Sequence, residues 1–483
     1  MKFLGIHLGG HDSNFTYTNG KEVRYFKPER FKQVKHFRYD NIFYLLHDLK
    51  LYGIDINDLD AVCMSYEFDQ EKAEGSHYHL TTSNIFKCPV YSINHHYAHA
   101  LSCFTEPNYE NITKSFVLDG TGDASTTTGE DFETTSVFGN SHELLTKYRL
   151  PQISMGRALR ILGHFWGMDG HKNDFAGKLM AFQSYGKVDN QLVDVFKDYN
   201  IGQLDEIFKN PPETLEHSVD WLRTRHYLCE QIIPKFFKSI ANNDEVISYT
   251  GGVAQNILIN PILKKWNTNI IIPPQNSDEG ISLGCVELLR TLYDQDTFST
   301  KGFPYWQEDN VQEAPTTKTI KQAAELIAKG KIIGWCQGKG EIGPRALGNR
   351  SILMRADIKG GKDIINSKVK HREEYRPFGC SVLVEDLNKH TNCTFESPYM
   401  LHAVTVTDSS LESITHVDGT TRPQTVKDGV FSELLHEVKK LTGTSIVLNT
   451  SLNVNGYPIA NPEIAKSMKS GLDAVFIGDT NYI

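Results

Sequence analysis

His95 and His99 stand four apart in the segment Asn94-His95-His96-Tyr97-Ala98-His99-Ala100. On a helix that spacing puts both imidazoles on one face, about one turn apart, which is what a metal takes from a single helix. Core and surface histidines share the spacing, so a third ligand from a distant segment is required. Asp278, in the strand-to-helix turn Pro273-Pro274-Gln275-Asn276-Ser277-Asp278-Glu279-Gly280, is the candidate. A second chemical signal is Asp119-Gly120-Thr121-Gly122-Asp123, which follows a short apolar run. Glycines there let backbone N–H groups approach phosphate oxygens, and an aspartate can orient a metal or a water. Thr250-Gly251-Gly252, with Asn256 just beyond, has the same plan and could cradle a nucleotide at a helix start. Either turn could equally be a tight structural turn. GxxxxGK[ST] is absent and no GxGxxG follows a strand, so no P-loop or Rossmann fingerprint is present.

The formal net charge is −9, a poor prior for anionic partners, but it is unevenly spread. Lys21 to Arg38 carries seven Lys/Arg against two Glu, and Lys339 to Arg376 carries ten Lys/Arg against five Asp/Glu. Each excess marks a place where anions could dock. In the second, Arg345 and Arg350 lie in Gly343-Pro344-Arg345-Ala346-Leu347-Gly348-Asn349-Arg350-Ser351, and Lys368, Lys370, Arg372 and Arg376 follow. Guanidinium forks match phosphate oxygens in pairs; a solvated basic face is the plain alternative.

Elements must position these groups. Lys2–Leu8 and Asn14–Thr18 read as strands, Asn19-Gly20 as a hairpin turn, and Val23–Phe26 as a third strand. Residues 41–52 carry Ile42, Leu45, Leu46 and Leu49 at helical spacing, and Ala61–Tyr66 reads as a buried strand. The theme returns at Ser115–Leu118, followed by a Thr-rich run near 125–136, which suggests a duplicated α/β unit. Helices dominate between about 150 and 245, strands enter the turns at 250 and 273, and a helix covers about 281–293. Residues 295–316 are polar, aperiodic and contain Pro and Gly, so they read as a linker. Beyond them come a helix at 319–329, strands at 332–336, 445–448 and 474–477, and a helix at 461–470. The expected organisation is two main domains, 1–300 and 317–483. No apolar run reaches the ~18 residues of a membrane span, the start turns polar too soon for a signal peptide, and eight Cys without CxxC read as reduced thiols of a cytoplasmic protein.

Taken together, the motifs resemble the ATP-dependent O-carbamoyltransferases, a family that includes nodulation-factor and antibiotic carbamoyltransferases. The residues are GGHDS at 9–13, ERF at 29–31 with Lys35-His36, NHHYAHA at 94–100, the DGTGD turn, GKLMAFQSYG at 177–186, GGVAQN at 251–256, GPRALGNRSI from Gly343, VKHREEYRPF at 369–378, HVDGTTRPQTV at 416–426 and LNTSLNVNGYPI at 448–459. They occur in order over nearly the whole chain. The resemblance implies an actin-like ATPase (duplicated RNase H-like) N-terminal domain, similar to the carbamoyl-transferring component of the threonylcarbamoyladenosine machinery, and a YrdC-like α/β C-terminal domain. It implies that the C-terminal domain makes carbamoyl-adenylate from carbamoyl phosphate and ATP, with Mg2+, and that the N-terminal domain passes the carbamoyl group to a hydroxyl. The family's metal ligands fall on His95, His99 and Asp278, with iron the implied metal, although such N/O ligands also accept zinc or manganese. Arg345, Arg350, Lys370, Arg372, Arg376, Arg422, Asn449 and Ser451 are then expected at carbamoyl phosphate and ATP. Gly120, Thr121, Gly122, Gly251, Gly252 and Asn256 are expected at the adenylate, with Lys178 as a phosphate contact. A base for the acceptor hydroxyl is expected from His11 and Asp12, with Lys35 and His36 next.

The basic stretch from Lys21 to Arg38 also holds Tyr25, Phe26, Phe31 and Phe37. Cations for phosphates and rings for stacking are what flipped or single-stranded nucleotides use. One expected acceptor is therefore a 5-hydroxymethylpyrimidine, as nucleotide or in DNA; the other is a small sugar or natural-product hydroxyl. Threonylcarbamoyladenosine synthesis on tRNA and a non-catalytic nucleotide sensor are the competing classes.

Overall fold

The computed structural model describes residues 1–66, 68–124, 131–468 and 470–482, so residues 125–130 of the Thr-rich run lie outside the described residues. The chain divides into two compact units: Met1–Ala176, Val188–Gln255 and Ile262–Trp306 form one, and Gly177–Lys187, Asn256–Pro261 and Gln307–Ile483 form the other. Both are α/β.

The N-terminal unit repeats one topology twice. In the first sheet β1 (Phe3–His7), β2 (Asn14–Thr18) and β3 (Val23–Phe26) form an antiparallel meander. A crossover then adds β4 (Ala61–Ser65) parallel to β1 and β6 (Val90–Ile93) parallel to β4, with β5 (Tyr78–Thr81) antiparallel at the edge. In the second sheet β7 (Lys114–Leu118), β8 (Glu133–Gly139) and β9 (Leu144–Arg149) repeat the meander, and β10 (Ile247–Thr250) and β11 (Ile270–Ile271) repeat the parallel crossovers. This is the duplicated RNase H-like arrangement of an actin-like ATPase. The reason is legible in burial: β1, β7 and β10 are the central strands, and apart from Lys114 each of their residues is buried, as parallel strands covered on both faces require.

Each first strand ends in a polar turn, and these turns carry the chemistry. Two helices hold them in place. The helix His95–Leu101 follows β6 and starts at Asn94, whose side chain accepts from the Tyr97 N–H. The helix Ile281–Leu292 follows Asp278 and is buried over its first nine residues. Close approach is built in: a Cβ on Gly284 would lie 1.9 Å from the Ala98 carbonyl oxygen, and one on Gly5 would lie 2.2 Å from that of Ser282. Only glycine lets this helix press on both the histidine helix and β1.

The second unit is built on a seven-stranded mixed sheet. In chain order its strands are β12 (Ile333–Cys336), β13 (Arg350–Arg355), β14 (Gly379–Leu383), β17 (Pro423–Val426), β18 (Val447–Ser451), β19 (Ala474–Ile477) and β20 (Thr480–Tyr482), and β15 (Val404–Thr405) pairs separately with β16 (Thr420–Thr421). The sheet order is β17-β14-β18-β13-β12-β19-β20. Two apolar clusters, one including Ile352, Leu448 and Val475 and the other Trp335, Leu353 and Phe476, cover its faces. Two short segments from earlier in the chain belong to this unit. The Ala403 N–H donates to the Ile257 carbonyl at 2.8 Å, and His416 Nε2 lies 3.2 Å from the Ala181 oxygen.

Residues 295–316 carry no regular element, as expected, but they are not a loose tether. Phe298 and Trp306 are buried in the first unit, and Gln307 bridges to Gly340 in the second. Isolated aromatic anchors without a period leave no pattern for a sequence reading to find. None of the eight cysteines forms a disulfide, and among the described residues no helix is long and apolar enough to cross a membrane.

Candidate metal centre and candidate anion site

In the N-terminal unit, four side chains converge. His95 Nε2 lies 3.4 Å from Asp119 Oδ2 and 3.5 Å from Asp278 Oδ1, and His99 Nε2 lies 3.4 Å from Asp278 Oδ1. One ligand atom from each of the four falls within 4.8 Å of the others. Two atoms each about 2.1 Å from a shared ion, at the tetrahedral angle, sit about 3.4 Å apart. The observed separations match that value. Both Nε2 atoms are buried without a hydrogen-bond partner, which a shared cation would satisfy. The residues therefore fit a metal, and they include all three expected ligands. Asp119 is a fourth that the sequence reading placed only in a phosphate turn. Its Oδ1 accepts from the Gly252 N–H at 2.7 Å, so one carboxylate ties the two glycine turns to the centre. Asp123, at the other end of its turn, accepts from the His95 backbone N–H at 2.6 Å and caps the histidine helix.

Beside this centre lies an alternating chain of carboxylates and imidazoles. Asp12 Oδ2 is 2.9 Å from His11 Nδ1 and 2.9 Å from His36 Nδ1. His36 Nε2 is 3.5 Å from Asp174 Oδ1, and Lys35 Nζ sits between the two Asp174 oxygens at 2.7 and 2.6 Å. The Asp12 Oδ1 side faces Lys27, which is buried and pairs with Glu279 at 2.6 Å. Burial opposes ionisation of Asp12, but Lys27, His11 and His36 outweigh it and hold the carboxyl well below its usual range. Burial likewise opposes the charge of His36, yet Asp12 and Asp174 lift it to about 9. His36 is thus a clamped imidazolium. His11 uses only Nδ1 in these contacts, and its side chain is about a quarter exposed at 28%. The expected quartet His11, Asp12, Lys35 and His36 is brought together; Asp174, Lys27 and Glu279 were missed, because only the folded chain brings distant turns to β1.

The expected adenylate residues divide. Gly120, Thr121, Gly122, Gly251 and Gly252 lie in the N-terminal unit. The Gly251 N–H donates to the Asn276 oxygen at 2.7 Å, Gly122 packs on the His96 ring, and among the described residues nothing lies within 4 Å of a Cβ placed on Gly120. Lys178 and Asn256 belong to the second unit. Lys178 is buried and pairs with Glu373, and Asn256 Oδ1 accepts from the Leu258 and Ile259 N–H groups at 3.0 and 3.2 Å.

In the second unit the cations sort into two kinds. Arg350 is fully buried and spends its guanidinium on the Gln337, Asn349, Gly338 and Asp309 carbonyls and on Asp309 Oδ1. Lys370 donates to Ser451 and Asn453 oxygens, and Asn449 to Ser381 Oγ at 2.8 Å. These residues fasten the scaffold. Arg345, Arg372, Arg376 and Arg422 gather as like charges, with Arg376 also paired to Glu373 at 3.4 Å and Arg372 donating to the Pro377 carbonyl at 3.0 Å. No carboxylate among the described residues lies within ion-pair distance of Arg372 or Arg422. Burial, then Arg345 and Arg372, push Arg422 well below the usual guanidinium range, and burial with Arg376 pushes Arg372 down to about 9. Arg372 also lies 4.4 Å over the Phe378 ring. Guanidiniums packed together as like charges favour an anion.

The rings of the basic N-terminal stretch are used internally. Tyr25 and Phe26 are core, Phe26 stacks on Phe15 at 4.6 Å, Arg30 is buried, and Lys32 pairs with Asp48.

Residues 72–218 match the family described as Carbamoyltransferase N-terminus and residues 324–482 the one described as Carbamoyltransferase C-terminus. Nodulation protein NolNO of Sinorhizobium fredii is 29% identical over 80% of this chain and 63% of its own length. The uncharacterized protein MJ1058 of Methanocaldococcus jannaschii is 30% identical over 81% of this chain and 74% of its own. The 3'-hydroxymethylcephem-O-carbamoyltransferase of Amycolatopsis lactamdurans is 35% identical over 44% of each. The chain belongs to the carbamoyltransferase family.

Proposed function

We propose that this chain is an ATP-dependent O-carbamoyltransferase that divides the reaction between its two units. The observation that carries the reading is the cluster Arg345, Arg372, Arg376 and Arg422 inside the segment that matches the carbamoyltransferase C-terminus. It supports a site for carbamoyl phosphate and for ATP with its Mg2+. Water hydrolyses carbamoyl phosphate to inorganic phosphate and carbamate. The carbamate oxygen then attacks the α-phosphorus of ATP, pyrophosphate leaves, and carbamoyl-adenylate forms. Guanidiniums neutralise the charge that builds on the phosphoryl oxygens and on the leaving group.

Carbamoyl-adenylate is then used in the N-terminal unit, where the two glycine turns joined through Asp119 support an adenylate cradle. Asp12 fixes the His11 tautomer through Nδ1, which leaves Nε2 to take the proton of the acceptor hydroxyl. The hydroxyl oxygen attacks the carbamoyl carbon, and AMP departs. His36, held as an imidazolium between Asp12 and Asp174, supplies positive charge where the carbonyl oxygen becomes negative. His95, His99, Asp119 and Asp278 would hold a divalent metal, which when bound neutralises phosphate charge. Two imidazoles with carboxylates suit iron, and zinc and manganese less specifically.

The acceptor is a hydroxyl. A relative is named for a hydroxymethyl acceptor, which favours a hydroxymethyl or sugar hydroxyl on a small molecule. The internal use of Phe26, Arg30 and Lys32 weighs against stacking of a hydroxymethylpyrimidine on this stretch. A cytoplasmic setting fits eight cysteines without a disulfide. The test is a mass-spectrometric acceptor screen with carbamoyl phosphate and ATP over sugars, hydroxymethyl natural products and hydroxymethylcytosine DNA. Gain of one carbamoyl group by a small hydroxyl compound is expected. A carbamoylated base in DNA, or threonylcarbamoyladenosine in tRNA, would replace this acceptor assignment.

A further inference from the structure

The carboxylate of Asp278 is shared unevenly. Oδ1 faces His95 and His99, whereas Oδ2 lies 3.6 Å from His7 Nε2 and 3.6 Å from His11 Nδ1. His11 has a closer partner in Asp12 at 2.9 Å, so Oδ2 depends on His7. His7 is the last residue of β1, 1% exposed, and neither of its ring nitrogens has a hydrogen-bond partner within the usual limit. A buried imidazole without a partner is costly, and its nearest acceptor is this carboxylate oxygen. The local chain is shaped around the ring. A Cβ on Gly9 would come within 2.4 Å of His7 Cε1 and 2.7 Å of Nε2, so the turn can fold over the imidazole only with glycine there. The backbone of Asp278 is fixed from the same strand pair: Asn14, paired with His7 across the β1–β2 ladder, donates to the Asp278 carbonyl at 2.9 Å and accepts from the Ser282 N–H at 3.2 Å.

We propose that His7 is a positioning residue of the metal centre, donating its Nε2–H to Asp278 Oδ2 so that Oδ1 is presented to the ion. Carboxylate ligands need such outer partners, whose removal typically weakens metal binding about 10–100-fold. The inference rests on the reading of His95, His99, Asp119 and Asp278 as a metal centre.

The test titrates full-length protein with Zn(II) in competition with a colorimetric chelator, for wild type, His7→Leu and His7→Gln. Glutamine can place an N–H where the imidazole Nε2 lies; leucine cannot. Thermal melting and pyrophosphate release by the second unit report that each variant is folded. Affinity about 10–100-fold lower in His7→Leu, with recovery in His7→Gln, is the expected result. Wild-type affinity in His7→Leu would overturn the inference, and so would equal weakness in a folded His7→Gln. Wild-type protein that binds no Zn(II) would instead remove the metal centre, and this inference with it.

Discussion

The two candidate sites arrange charge in opposite ways. Around Asp278 and Asp12, imidazoles alternate with carboxylates: His95 and His99 face Asp119 and Asp278, and His36 lies between Asp12 and Asp174. Around Arg422, guanidiniums face one another. At His95 and His99 the first pattern leaves buried ring nitrogens facing carboxylate oxygens without a hydrogen bond, which a cation resolves. The second holds like charges in a half-buried setting, which an anion resolves. The packing thus encodes the sign of each partner, although net charge describes neither.

The comparison can be broken most severely at the cation site. His95→Ala should abolish tight metal binding, because two of the three histidine contacts at Asp119 and Asp278 run through His95. Metal content after dialysis, read by mass spectrometry, checks this; full content in the variant would remove the site. At the anion site, Arg422→Ala should lower carbamoyl-phosphate-dependent pyrophosphate release by about 10²–10³-fold, the usual loss for a preorganised charge partner. Without ligand the same variant should melt no lower than wild type, since it removes a repelled charge.

A smaller effect sharpens the contrast. Pyrophosphate should stabilise wild type by about 2.7 kcal/mol at one hundred times its Kd, seen as a higher melting temperature, and Arg345→Ala should lose most of that gain. The smallest effect belongs to the alternating chain. His36 has an ordinary value of 6.5 and is lifted to about 9 in the folded protein. Its stabilising contribution is therefore full below about pH 6.5 and lost as pH rises through about 9. The difference in melting temperature between wild type and His36→Gln should shrink over that window. A difference that stays constant to pH 10 would mean that His36 is not a clamped imidazolium.

Much of the fold was legible, because strand, turn and helix signals are local. The β1–β2–β3 meander, its repeat at β7, and the helix that carries His95 and His99 all follow from short-range pattern. The candidate metal centre was legible where spacing sufficed. Asp119 was read as part of a turn because its approach to His95 depends on two sheets meeting. His7 gave no signal at all: its role depends on a carboxylate 271 positions away. In the second unit, Arg350 and Arg422 look alike as letters. Only burial and partners separate Arg350, which is bonded to carbonyls and Asp309, from Arg422, which is surrounded by other arginines. The linker reading caught the unit boundary and the lack of regular structure but not the anchoring by Phe298 and Trp306, which has no periodicity.

The most direct test of the division of labour measures metal content and carbamoyl-phosphate-dependent pyrophosphate release side by side in His95→Ala and Arg422→Ala. The account predicts a crossed result: His95→Ala loses the metal and keeps pyrophosphate release, while Arg422→Ala keeps the metal and loses pyrophosphate release. Undiminished pyrophosphate release in Arg422→Ala, or its loss in a folded His95→Ala, would contradict it.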